Sequence, residues 1–374
     1  MIKKILLFFL LWRLITITFA HVATFILPLT DTYVLTRWDI SVKKLPYLVW
    51  VWGNFDGVHY LDIAKNAYHS ANHAFFPLFP LLIRFAYDPI SRLFESPFVV
   101  SAELISNVAF LLSLIVLYKT LLLDGKNKLI PLFFLSLILF PTSSFYGSVY
   151  NDSLFLFFAT LTIYFSRKQE FIPASISGFL ATLTRFNGLA LFFIILFEYI
   201  SSQTKDNNLW DIKKLTVAFR RGLLLRKILK QRIYAVILIP LAFLGYLYYT
   251  QTVYGDWHLV FSSLRQWDQD KIVFPLQVFF RYFKIFFLSV AGYQPIQLNF
   301  WVAMFELSSV FFYVFLLFYS FKKIRLSYWL FFAASILIPS LTGTFQGMPR
   351  YGLHLYPFFL SLALFLSERS LAVK

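Results

Sequence analysis

Cysteine is missing from the chain, which removes disulfides and thiolate metal sites and leaves the redox compartment undecided. Charge is scarce as well: Asp, Glu, Lys and Arg make up 14% of 374 residues, against 59% hydrophobic and 21% aromatic, with a mean hydropathy of +0.69. So few charges cannot cover the apolar surface of one soluble core. Composition therefore points to a polytopic membrane protein, read as all-α. Within the small charged set acids are the rarer sign, 18 Asp and Glu against 34 Lys and Arg, a formal net charge of +16. In a membrane protein an excess of basic residues is first explained by orientation and lipid headgroups, so no nucleic-acid partner is expected. No internal repeat, Gly/Ser linker or low-complexity tract interrupts the sequence. Residues 1–374 are read as one integrated transmembrane domain.

What the chain does have is apolar runs. Near the N-terminus, Lys3 and Lys4 precede a run over 5–27, longer than the roughly 7–15 residues of a cleaved signal's apolar region, so it is read as an uncleaved first helix. Further spans are expected near 97–118, 129–145, 153–166, 171–184, 186–200, 233–250, 297–320, 328–345 and 353–367, about ten in all. With the N-terminus cytoplasmic, segments 1–4, 119–128, 167–170, 201–232, 321–327 and 368–374 lie inside and hold most of the Lys and Arg, which puts both termini inside. The longest of them, 201–232, carries Lys213, Lys214, Arg220, Arg221, Arg226, Lys227, Lys230 and Arg232 and reads as a topogenic, anionic-lipid-binding stretch with an interfacial helix. Acids sort the opposite way. Asp31, Asp39, Asp56, Asp62, Asp88, Glu95, Asp152, Asp256, Asp268 and Asp270 fall outside, chiefly in the loops 28–96 and 251–296, so the outer face is where chemistry is expected.

The first outer loop is the least ordinary stretch. From Trp50 to Arg84 it packs acids, His residues and two Pro-interrupted aromatic runs between spans. Val58 to Tyr68 places Tyr60, Ile63, Ala64 and Ala67 on one face at helical spacing, with Asp62, Lys65 and Asn66 opposite, which predicts a short interfacial amphipathic helix beginning just after Asp56. A carboxylate at that position faces the positive end of the helix dipole, which favours its ionised form. Phe75 to Phe85, with Pro77 and Pro80, reads as an apolar wedge along the bilayer surface. Trp38, Trp50, Trp52, Trp257 and Trp267 are interfacial anchors or, alternatively, platforms for sugar rings. His69 and His73 near Asp62 lack any HxxxE or HExxH spacing, so no metal and no cofactor is expected. In the second loop Asp256, His258, Arg265 and Gln266 are candidates for acceptor recognition on composition alone. Glu103 and Glu306, inside spans, are read as partners of Arg13, Arg281 or Lys284, because intramembrane charges need a partner or a wet cavity.

Four stretches carry a resemblance. NFDGVHYLDIAKNAY followed by AFFPLFPLLIR, then SVYNDSLFLFF at 148–158, TRFNG at 184–188 and MPRYGLHLYP at 348–357 together resemble, in order and over nearly the whole chain, the PIG-V type mannosyltransferases and their prokaryotic relatives, membrane enzymes of the GT-C superfamily. Two departures stand out: Phe55 holds a place where the family usually has Trp, and Asn151-Asp152 stands where relatives commonly carry a Glu.

The resemblance implies a GT-C bundle that moves a hexose, mannose in eukaryotic members, from a polyprenyl-phosphate donor to a hydroxyl of a glycan or glycolipid at the outer or lumenal face, with inversion. Such a displacement needs a carboxylate to take the acceptor's proton and a cation to hold the leaving phosphate. Asp56 is the candidate base, against the alternative that it only caps the following helix. Arg350 is the first candidate for the phosphate, since a guanidinium fork matches phosphate geometry. Arg185 is the second, and His59, three residues after Asp56, a third. Asp152, Asn151, Tyr351, Trp52, Asn54 and Asp62 complete the set as candidate substrate-binding residues. Membrane lipids are the remaining expected partners, and the membrane is the plasma membrane in a prokaryote or the ER in a eukaryote. A transporter or flippase is the rival class; acids at the interface rather than at midplane, and the lack of inverted repeats, count against it.

Overall fold

The computed structural model describes residues 2–26, 35–38, 43–69, 72–203, 209–290 and 298–372; Asp31 and Asp39 lie outside the described residues. Fourteen helices of ten or more residues organise them, and no strand occurs among the described residues. In chain order they are α1 (Ile2–Ile26), α2 (Asp56–Asn66), α3 (Leu78–Ser91), α4 (Pro97–Leu123), α5 (Ile130–Leu139), α6 (Asp152–Arg167) and α7 (Phe171–Thr182). The second half holds α8 (Leu191–Ser202), α9 (Ile212–Gly222), α10 (Leu238–Tyr254), α11 (Pro275–Val290), α12 (Leu298–Tyr319), α13 (Leu326–Ser340) and α14 (Tyr356–Ala372).

Each of the ten expected spans coincides with one of these helices. Four segments are long and apolar enough to cross a membrane unaided: Ile2–Ile26, Pro97–Leu123, Ile233–Tyr254 and Phe300–Tyr319. The others are short. Helices such as α5, α7 and α8 rise only about 15–18 Å at 1.5 Å per residue, against a hydrocarbon core of about 30 Å. The break between α7 and α8 is where Arg185 sits.

The short helices are held by close approach. α6 packs against α4 on one side and α7 on the other, and the contact faces carry small buried residues: Ala102, Ser106, Ala109 and Ser113 on α4, Ser153, Ala159 and Thr160 on α6, Ala174, Ser175 and Ala181 on α7. Without a hydrophobic drive between helices in lipid, such small residues let backbones meet and let hydroxyls bond locally. Ser113, for example, donates to the carbonyl of Ala109 at 2.7 Å. A Cβ on Gly178 of α7 would lie 2.7 Å from Ile239 Cδ1 of α10.

Two loops are more helical than the sequence pattern suggests. The wedge expected at 75–85 is the start of α3, with Pro77 at the N-cap and Pro80 in the first turn, where a missing N–H goes unused. In the second outer loop, 275–290 forms α11, whose Tyr282 hydroxyl bonds Glu306 Oε2 of α12 at 2.5 Å. Tyr282, not Arg281 or Lys284, is therefore the partner of Glu306. Arg281 instead reaches the Gly343 carbonyl at 3.3 Å. The other buried acid matches expectation: Glu103 pairs with Arg13 at 3.3 Å. In the basic loop, α9 is N-capped by Asp211, which accepts from the Lys213 and Lys214 amides at 2.9 and 3.4 Å, the usual way to satisfy first-turn donors.

Candidate active site

α2 begins at Asp56 itself. The preceding residue, Phe55, has φ 55°, a left-handed conformation uncommon for an aromatic residue and costly unless its surroundings enforce it. The enforcement comes from the 148–152 segment. Val149 N–H donates to the Trp52 carbonyl at 3.0 Å and the Tyr150 hydroxyl to the Asn54 carbonyl at 3.0 Å. Gly57 lies so close that a Cβ there would meet the Val149 carbonyl oxygen at 3.3 Å. Asn54 Oδ1 accepts the Leu35 amide at 2.7 Å. The first loop is thus tied through its backbone to the strand-like turn before α6. α2 is buried nearly all round, from Gly57 through Leu61 and at Ile63 and Ala64, so it packs inside the protein rather than lying along the bilayer. Ala67, expected on the buried face, is exposed.

TRFNG is shaped by a similar contact. The turn over Phe186–Ala190 folds back so that a Cβ on Gly188 would sit 2.4 Å from Thr182 Cα; only glycine fits. Asn151 reaches across and donates to the Thr184 carbonyl at 2.5 Å. The fourth stretch, 348–354, is fixed by three hydroxyls from two other elements: Thr142 to the Pro349 carbonyl (2.9 Å), Tyr146 to the Leu353 carbonyl (2.7 Å) and Tyr313 to the Met348 carbonyl (3.0 Å).

These attachments bring distant residues into one ionic network. Arg350 Nη1 donates to Asp56 Oδ2 at 2.9 Å, and Arg350 Nε lies 3.7 Å from Asp152 Oδ1. Arg185 Nη1 donates to the same Asp152 oxygen at 2.8 Å. His354 Nε2 contacts Asp152 and stands 2.7 Å from Arg185 Nη1. Tyr150 and Phe145 flank the Arg350 guanidinium at 5.0 and 5.4 Å, and Tyr351 stands 5.2 Å from that of Arg185, distances that suit cation–π attraction. Burial by itself lowers the Arg350 pKa, but Asp152 and Asp56 outweigh it and raise it well above the ordinary guanidinium value. Two carboxylates and two guanidiniums balance in charge. Hydrogen bonding is less complete: Asn151 Oδ1, Asp152 Oδ2, Arg350 Nε and His354 Nδ1 are buried without a hydrogen-bond partner. Such orphans are uncommon in finished cores and mark places where a ligand or water belongs.

Of the sequence candidates, Asp56, Asp152, Arg185 and Arg350 form the network, with Asn151, Tyr351 and Asn54 in its walls. The His59 ring stacks on Phe75 at 4.8 Å and meets Trp38 and Trp267 edge-on. Trp52 turns away, donating its indole N–H to the Leu48 carbonyl at 2.7 Å beneath the Arg13 guanidinium at 4.6 Å. Asp62 contacts His69 and accepts from Asn66 and Asn72. In the second loop Asp256 pairs with His258 at 3.3 Å and Arg265 with Asp270 at 3.0 Å. His354 is the member that sequence reasoning passed over; the signal was its place four residues after Arg350 in the same motif. Among the described residues no group of three or more His, Asp and Glu could hold a metal ion.

A family model described as Mannosyltransferase (PIG-V) matches residues 2–301. The chain belongs to this family. No curated protein and no solved structure matches it. As a PIG-V mannosyltransferase it is a membrane glycosyltransferase, an integral membrane protein that acts on a sugar donor and a glycan or lipid-linked acceptor. The matched range contains Asp56, Asp152 and Arg185 but ends before Arg350 and His354, so the last two enter the site on geometry.

Proposed function

We propose that this chain is a GT-C type enzyme that transfers a hexose, mannose by family, from a polyprenyl-phosphate sugar to a hydroxyl of a glycan or glycolipid at the outer face, with inversion and without a metal. One observation carries the reading: Asp56, Arg350, Asp152 and Arg185, spread over almost 300 positions of sequence, are joined in one ionic network centred on the buried Asp152. In the reaction the acceptor oxygen bonds to the anomeric carbon as the bond from that carbon to phosphate breaks. Asp56 takes the hydroxyl proton, and Arg350 and Arg185 receive the charge that develops on the leaving polyprenyl phosphate. Asp152, held between both guanidiniums, orients them. A lipid-linked donor also needs an apolar path. A groove of about 670 Å³ between α2, α3, α7 and α10 offers one, flanked by the helix that begins at Asp56 and the helix that ends just before Arg185.

The direct test is transfer in vitro with a panel of polyprenyl-phosphate sugars and mass-spectrometric identification of the product. Asp56→Asn should lower transfer by about 10²–10⁴-fold, the usual contribution of a general base, with expression and melting unchanged. Full activity in that variant would sink the assignment.

A further inference from the structure

Asp56 and Arg350 are in direct contact at 2.9 Å. An inverting displacement puts the attacking hydroxyl and the leaving group on opposite faces of the anomeric carbon, so the sugar must lie between the base and the phosphate's cation. Inverting glycosidases, which face the same requirement, keep their two catalytic groups about 6.5–9.5 Å apart. A 2.9 Å pair leaves no room for a sugar.

Nor, among the described residues, does the network hold a surplus cation. Arg185 is engaged by Asp152 and Arg350 by Asp56 and Asp152. A phosphate that settles its charge on Arg185 or Arg350 therefore competes with a carboxylate already there. The exposures indicate which one: Asp152 has a side-chain exposure of 0% and contacts two guanidiniums and His354, whereas Asp56 is 29% exposed and, among the described residues, is ion-paired with Arg350 alone. Arg350 Nε, buried and without a hydrogen bond, is a second donor ready to complete a two-pronged grip on phosphate once the Asp56 contact opens.

Building on the proposed donor chemistry, we infer that the Asp56–Arg350 pair masks the base in the resting enzyme, and that the donor's phosphate opens it by taking Asp56's place on Arg350. Donor binding then frees Asp56 Oδ2 for the acceptor hydroxyl, and donor binds before acceptor. Until a donor is seated, Asp56 Oδ2 stays engaged by Arg350.

The test measures affinity, not transfer, using citronellyl phosphate, a short soluble polyprenyl phosphate, on the full-length protein in detergent. Asp56→Asn and Asp56→Ala should bind it about tenfold or more tightly than the unaltered protein, because the phosphate no longer competes with a charged hydrogen bond to Arg350. In an Arg350→Gln background the same Asp56 substitutions should bring no gain. Equal affinity in the Asp56 variants overturns the mask. An equal gain with Arg350→Gln also overturns it, since simple repulsion between Asp56 and phosphate would then be the cause. The underlying function reading fails separately, if Asp56→Asn still transfers sugar or if citronellyl phosphate binds none of the proteins.

Discussion

The two ends of α6 carry two buried ionic networks that differ in how completely they are satisfied. Asp152, the first residue of the helix, belongs to the site network; Arg167, the last, lies about 22 Å away by helix rise in a second cluster. There Arg167 Nε donates to Asp124 Oδ1 at 2.7 Å, and the hydroxyls of Tyr328 and Tyr356 donate to Asp124 Oδ2 at 2.9 and 2.8 Å. Glu198 receives Arg325 Nε at 2.7 Å and Arg325 Nη2 at 2.9 Å, together with the Ser327 hydroxyl at 2.5 Å and Arg167 Nη1 at 3.4 Å. Every carboxylate oxygen of this second cluster has a donor, and none of its atoms is among the buried groups without a partner. The Asp56 network, built from equal numbers of acids and guanidiniums, leaves four polar atoms unpaired. Balanced charge is common to both; completeness is not. The satisfied cluster clasps the ends of α4, α6, α8, α13 and α14, and the unsatisfied one is arranged for something that arrives.

The sharpest way to break this contrast is to exchange the expected consequences. Glu198→Ala leaves Arg325 and Arg167 in a buried place without their carboxylate, and should cost about 3–5 kcal/mol of stability, read as a large fall in melting temperature. The protein that remains folded should keep its specific activity. Arg350→Ala should do the reverse: transfer falls about 10²–10³-fold, the range for losing one preorganised charge-stabilising donor, while the melting temperature moves little because Asp152 keeps Arg185 and His354. If Glu198→Ala lowered specific activity as strongly as Arg350→Ala does, the division into clasp and site would be wrong.

The sequence pattern reached one side of this contrast better than the other. Apolar runs located the main helices, four of which are long and apolar enough to cross a membrane among the described residues, because lipid demands long apolar segments whatever their packing. Asp56, Asp152, Arg185 and Arg350 were legible because each is a charge at a turn or helix start within a recognisable stretch. What joins them was not legible: the 348–354 segment that carries Arg350 is tied in place by Thr142, Tyr146 and Tyr313 through backbone carbonyls, contacts without any local signature. For His59, spacing from Asp56 put it on the site's face, and what spacing could not show is the aromatic cluster its ring makes with Phe75 and Trp267. The Asp124–Glu198 clasp left no trace either, because its acids fall singly at helix ends and its tyrosines look like ordinary core residues.

The smallest expected effect separates the two ends by pH. Burial lowers the His59 pKa below its ordinary 6.5; Asp56 and Asp62 oppose this in part, and His69 adds to it. His73, in the same loop, is lowered by burial as well. A histidine whose folded pKa is depressed binds its proton more readily in the unfolded chain, so its contribution is present above about pH 6.5 and is lost as pH falls through the folded value. Melting temperature should therefore decline on acidification below about 6.5. His59→Gln, which cannot titrate, should flatten that decline without abolishing it, because His73 remains. Glu198→Ala should lower the whole curve and leave its slope unchanged, since no histidine belongs to the Asp124–Glu198 cluster. An unchanged slope in His59→Gln would mean that its ring is not held neutral by the aromatic cluster. It would then be free to carry charge beside Asp56, which would move His59 back into the site.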